Sequence, residues 1–295
     1  MEKRNVLNSP RLSELKRRRH RAILNKFLFS FFGLLAIFIL SAYLSHLNSL
    51  NISEIEISGN KTIDTEAVKE TVQEQISGKY LWLFPKTNIL YYSKSNIKNK
   101  LLDEFKRIKS VDLSILPTQA GKNNILQIFL TERTAAYIWC GETPVSDVGR
   151  PETGRPTSET CYFMDADGYV FDEAPYFSGE VYFKFYGSAD LGSYFSKQNF
   201  KQLISFRDIL LGIGLKPIAL YVTNDGDVQV FLSGGASLAT DPKIMFKADA
   251  DFQNIAENLE AALTTEPLQS EFKNKYSTLQ YIDLRFNNKV YYKFL

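Results

Sequence analysis

The residue types that do most enzyme chemistry are scarce in this 295-residue chain and poorly placed for it. The two histidines, His20 and His46, both precede residue 53, so residues 53–295 contain none. That removes Ser-His-Asp and Cys-His activation from this stretch, together with any His-ligated metal site. The two cysteines, Cys140 and Cys161, cannot complete a tetrahedral zinc site alone. Acids crowd together in "DADG" (165–168) and "NDGD" (224–227), but a calcium loop starting at Asp165 would place Tyr169 and Tyr176 where ligands are required. Both stretches read more simply as hairpin turns. Ser-x-x-Lys occurs at Ser13, Ser95 and Ser270, yet the companion Lys-Thr-Gly is absent, "KTN" (86–88) being the nearest sequence. No glycine-rich phosphate loop is present. The expectation is a protein that is not an enzyme, with no catalytic residues, cofactor, metal or small-molecule substrate.

Charge is divided unequally along the chain. Residues 1–26 hold nine Lys/Arg against Glu2 and Glu14, and the remainder is net acidic. An acidic body repels phosphate backbones, so nucleic acid is not an expected partner. From Phe27 to Ser53 no residue carries a charge, and "FLFSFFGLLAIFILSAYL" (27–44) is long enough to cross the hydrocarbon of a bilayer. "KRRRHR" (16–21) lies just upstream and by the positive-inside rule stays cytoplasmic. "SAYLSHL" (41–47) is a poor cleavage site, which favours an uncleaved anchor over a signal peptide. The expected organisation is a basic cytoplasmic tail (1–26), a transmembrane helix (27–50) and a bulk outside the cytoplasm. "SPRLSELK" (9–16) has the signals of a helix start, with Ser9 as cap and Pro10 in the first turn.

Beyond the span, "ISEIEIS" (52–58) alternates as a half-buried strand. Asp64 is placed to cap a helix carrying Val68, Val72 and Ile76, which Gly78 ends. The apolar connection "YLWLFPKTNILYY" (80–92) leads to a second helix with a stripe of Ile97, Leu101, Phe105 and Ile108. "SVDLSIL" (110–116) and "ILQIFLTE" (125–132) are strands around a turn at 118–124. The segment 141–160 has no apolar period and reads as a flexible excursion. Cys140 and Cys161 bound it; an even pair outside the cytoplasm points to a disulfide, two buried thiols being the alternative. Hairpin strands follow around 161–175 and 216–235, and helices over 196–214 and 251–265. The fold class is therefore α+β: one span, a β-α-α-β-β module, then a mixed β-rich domain with two helices.

That order resembles a POTRA domain (51–133) behind its own membrane anchor, followed by the β domain (134–295) of the FtsQ/DivIB cell-division family. "TERTAAYIW" (131–139) is similar to the Glu-Arg-x-Pro-hydrophobic-Trp segment that closes the family's POTRA module, with Ala135 in place of the usual proline. "YIDLRFNNKVYYKF" (281–294) is similar to its terminal hairpin. The resemblance implies a single-pass protein of the cell membrane at the division septum. It would bind small single-span coiled-coil proteins of FtsB/FtsL type and other divisome components, and link them to septal wall synthesis. The alternative is a POTRA-containing envelope-assembly or export factor that binds client strands.

The terminal hairpin carries the candidate site. An "NNK" loop sets Phe286 opposite Val290, keeps Ile282, Leu284 and Phe286 on one core face, and pairs Asp283 with Lys293 and Arg285 with Tyr291 outside. A two-residue "NN" loop suits turn chemistry better but sends Lys289, Tyr291 and Lys293 to the Ile282 face. Burial is worth more, so the pattern is expected to set the register. The residues leave open whether the last strand is an ordinary edge protected by Lys293 or an edge that accepts a partner strand. The resemblance implies the second, through Arg285, Phe286, Val290, Tyr291, Tyr292 and Lys293.

Overall fold

The computed structural model describes residues 10–118, 123–144, 160–177, 180–235, 238, 240–286 and 289–295. The chain divides into two units, one of residues 1–104 and 110–131, the other of residues 105–109 and 132–295. The inner part of the excursion (145–159) and the loop pair Asn287 and Asn288 lie outside the described residues.

The first unit opens with α1 (Pro10–Ser45), continuous from the Pro10 start signal through the apolar run. Its stretch Arg17–Ser45 is long and apolar enough to cross a membrane. The helix stops earlier than residue 50, and two amides explain why. Asn51 Nδ2 donates to the carbonyls of Ser45 (2.9 Å) and Leu47 (2.8 Å), and Asn88 Nδ2 donates to Ser45 O (3.0 Å). Terminal carbonyls that lack a helical partner are thus taken by side chains.

After a 3₁₀ turn at Asn48–Leu50 come β1 (Ile52–Ser58) and α2 (Thr65–Ile76). The Asp64 side chain accepts from Ala67 N–H, and α2 buries Val68, Val72 and Ile76. Two short strands, β2 (Lys79–Tyr80) and β3 (Phe84–Pro85), form a hairpin inside the expected connection. Helix α3 (Lys94–Glu104) buries Ile97 and Leu101 but does not reach Phe105 or Ile108. Ile108 begins β4 (Ile108–Pro117), so the apparent helical stripe runs across a helix-to-strand junction. β5 (Asn124–Glu132) completes a three-stranded sheet in the order β1-β5-β4, with β1 parallel to β5.

The second unit is built on a nine-stranded mixed sheet. Its strands are β6 (Tyr137–Trp139), β7 (Cys161–Met164), β8 (Val170–Ala174), β9 (Lys184–Tyr186), β10 (Pro217–Val222), β11 (Asp227–Leu232), β12 (Lys243–Lys247), β13 (Leu279–Phe286) and β14 (Lys289–Phe294). They lie in the order β14-β13-β12-β11-β10-β9-β6-β7-β8. Three helices accompany the sheet where two were expected: α4 (Phe200–Gly212), α5 (Phe252–Leu263) and the short α6 (Leu268–Lys275). Aromatic rings dominate the main core, with Phe206 4.6 Å from Phe246 and Phe185 5.4 Å from Phe200 between centroids. Cys140 and Cys161 are joined by a disulfide at the β6–β7 end.

Candidate partner-docking edge

The ends of the nine-stranded sheet differ. At β8, Val170 N–H donates to Ser193 O (2.9 Å), Gly192 N–H donates to Val170 O (2.8 Å), and Tyr169 bridges to Tyr194. A loop therefore covers the start of that edge. At β14, the backbone of residues 289–294 has no hydrogen bond outside its pairing with β13 among the described residues. An edge of this kind presents a row of unpaired N–H and C=O groups.

The register of the hairpin settles the conflict between turn chemistry and burial by using both. Phe286 pairs with Lys289 across a two-residue loop, whereas Asp283 pairs with Tyr291 and Ile282 with Tyr292. Between these points β13 spends one residue more than β14, which is a β-bulge. The extra residue restores the buried face: Ile282 and Leu284 are core residues, and Val290, Tyr292 and Phe294 pack against the same core. It also moves Phe286 off that face, leaving it 53% exposed. The expected pairs Asp283–Lys293 and Arg285–Tyr291 do not form; Lys293 lies opposite Tyr281.

The six candidate residues accordingly have three fates. Phe286, Tyr291 and Lys293 point to solvent, with the Phe286 and Tyr291 rings edge to face at 5.3 Å. Val290 and Tyr292 turn inward. Arg285 is engaged within the protein: it donates to both oxygens of buried Asp283 (2.9 and 2.6 Å) and to Asp227 Oδ2 (2.6 Å). Lys247 donates to the other oxygen of Asp227 (2.5 Å). Burial opposes ionisation of Asp227, but the hydrogen bonds from Lys247 and Arg285 outweigh it and hold the carboxyl below the usual aspartate range. The Arg285 guanidinium is stabilised in turn, first by Asp283 and then by Asp227. Sequence reasoning missed this network, because Asp227 and Lys247 are near Arg285 only once β11, β12 and β13 are adjacent.

Beside the hairpin tip opens a groove of about 1100 Å³. Asp251 at the start of α5, with Asn254 and Asn258 along it, lines the groove together with Phe286, Lys289 and Tyr291. Asp251 caps α5, accepting from Gln253 N–H at 2.9 Å, so its position is set by the helix it starts. The groove joins amides and a carboxylate to two aromatic rings and a lysine, a surface suited to alternating polar and aromatic side chains.

The other acidic stretches have internal partners. Asp165 pairs with Arg133 (2.5 Å) and accepts the N–H groups of Asp167 and Tyr169, while Asp167 pairs with Lys109 (2.9 Å). Arg133 also lies 3.6 Å over the Tyr169 ring. Among the described residues no three His, Cys, Asp or Glu side chains group as a metal site. No family model matches the chain, and no curated protein matches it.

Proposed function

We propose that this protein is a bitopic scaffold of the bacterial division machinery, of the FtsQ/DivIB kind, that holds a small single-span coiled-coil partner by adding a strand to β14. In this reading α1 crosses the cell membrane with the basic tail in the cytoplasm, and the first unit serves as the POTRA-type module. The observation that carries the reading is the contrast between the sheet ends: β8 has its first residue, Val170, bonded to the loop at Gly192 and Ser193, whereas β14 has no such partner among the described residues and lies beside a groove. Main-chain hydrogen bonds along β14 would supply affinity, and alternate side chains in the groove would supply specificity. Phe286, Tyr291 and Lys293 offer contact, while Val290, Tyr292 and Arg285 hold the edge in place. The mechanism is binding and positioning, without turnover.

Depletion of the protein from its own cells, with a fluorescent tag on the tail side of α1, tests the reading. Septal fluorescence before depletion and filaments of undivided cells afterwards are expected. Normal division accompanied by loss of exported envelope proteins would instead support an assembly factor that binds client strands.

A further inference from the structure

The β2–β3 hairpin ends in a turn that water alone would not favour. Leu83 N–H donates to Tyr80 O (3.1 Å), and both residues between, Leu81 and Trp82, have positive φ (48° and 63°). Such a turn normally takes Asn-Gly, because side chains with a Cβ are disfavoured at left-handed positions. Here it holds two large apolar side chains outward: Trp82 is 91% exposed and Leu81 77%. An observed strain of this kind points to a function for what it presents.

The hairpin's attachment says what covers it. The Phe84 ring lies 5.6 Å from Phe38 of α1, and Tyr91 packs on the other edge of Phe84 at 5.6 Å. Phe27–Ser45 spans about 28 Å at the helical rise, close to the hydrocarbon thickness, so Phe38 lies about 10 Å inside the far boundary. Asn88, three residues after Pro85, is bonded to the last carbonyl of α1, which fixes the hairpin against the helix end. From Gln75 to Leu102 the chain has no acidic residue, and Lys79, Lys86, Lys94 and Lys98 surround the tip in sequence. Aromatic and apolar tips flanked by lysines match the polarity gradient of a bilayer interface.

We propose that the Leu81–Trp82–Leu83 tip inserts into the membrane leaflet on the C-terminal side of α1, with the neighbouring lysines at the headgroups. The hairpin thereby gives the first unit a second membrane contact beside the span. The inference rests on α1 crossing the bilayer and is separable from the docking role of β14.

The test uses the full chain reconstituted in phosphatidylethanolamine/phosphatidylglycerol vesicles containing lipids brominated near the headgroup end or near the methyl end of their chains. The protein has two tryptophans, and Trp139 is buried with its N–H on Gly187 O. Wild-type emission is expected to be quenched at least about twofold in the brominated vesicles relative to unbrominated ones, as for an indole held within the leaflet. Trp82→Ala, a change at an exposed position, is expected to lose the quenchable fraction. Leu35→Trp in the Trp82→Ala chain reports on the span itself and is expected to respond to the deep bromines. A span probe that is quenched, with wild-type emission insensitive to bromine and open to aqueous iodide, would overturn hairpin insertion alone. A span probe that is not quenched would overturn both the span and the insertion.

Discussion

Arg285 determines more of the candidate site than its half-buried position in a strand suggests. Its guanidinium neutralises Asp283, which is 5% exposed, and reaches across to Asp227 on β11. Arg285→Leu leaves a buried carboxylate unpaired and is expected to destabilise the second unit by about 2 kcal/mol, less than for a fully buried pair because the arginine keeps some solvent. Urea denaturation in detergent micelles would read this, and Asp283→Leu added to Arg285→Leu should recover much of the loss. Asp227 sets the acid limit of the same network. Its folded pKa is below the unfolded value near ~3.9, so its ion pairs stabilise above that pH and their contribution disappears as pH falls through the folded value. The stability difference between wild type and Asp227→Asn is therefore expected to be constant near neutrality and to shrink below about pH 4, as measured by urea midpoints across pH.

Among the elements, the disulfide and the terminal hairpin carry the clearest consequences. Cys140–Cys161 closes a segment of 21 residues' separation between β6 and β7. Cys140→Ser with Cys161→Ser is expected to lower stability by about 3 kcal/mol in the chain-entropy model, read by comparing denaturation with the oxidised protein. The hairpin also shows how far pattern reading reaches. Period-two alternation identified β13 and β14 and their shared core face. It did not disclose the bulge, because alternation fixes the parity of pairing, and one inserted residue changes the partners while restoring that parity. Thus Phe286, expected in the core, is on the surface. Asp64 and Gly78 marked α2 because cap chemistry is local. By contrast β9 has three residues and β12 reads "KIMFK" with its three central residues buried, so neither carries an alternation to find. Helix α6 has eight residues, too few for a convincing periodicity. The helical stripe overruns α3 because Phe105 and Ile108 continue its spacing after the backbone has left the helix.

For the whole molecule, a helix long and apolar enough to cross a membrane was legible from the charge-free run, which needs no tertiary context. The sheet order was not, since β9 passes over the β7–β8 hairpin to pair with the other side of β6, and no local pattern specifies that return. Only that order shows β8 and β14 as the two ends, one bonded to a loop at its start and one bare among the described residues. Under the proposed function, removing residues 289–295 is expected to leave the protein in the membrane fraction while abolishing copurification of the proposed partner, because α1 and β14 belong to different units. The most direct test of the docking edge is a photo-crosslinking side chain at Tyr291 in growing cells, with a second at Glu173 on β8 as the comparison. Capture of one small single-span coiled-coil protein from Tyr291, and not from Glu173, is the outcome the proposed function predicts. Capture of many exported proteins at Tyr291, or of the coiled-coil partner only at Glu173, would contradict β14 as the docking strand.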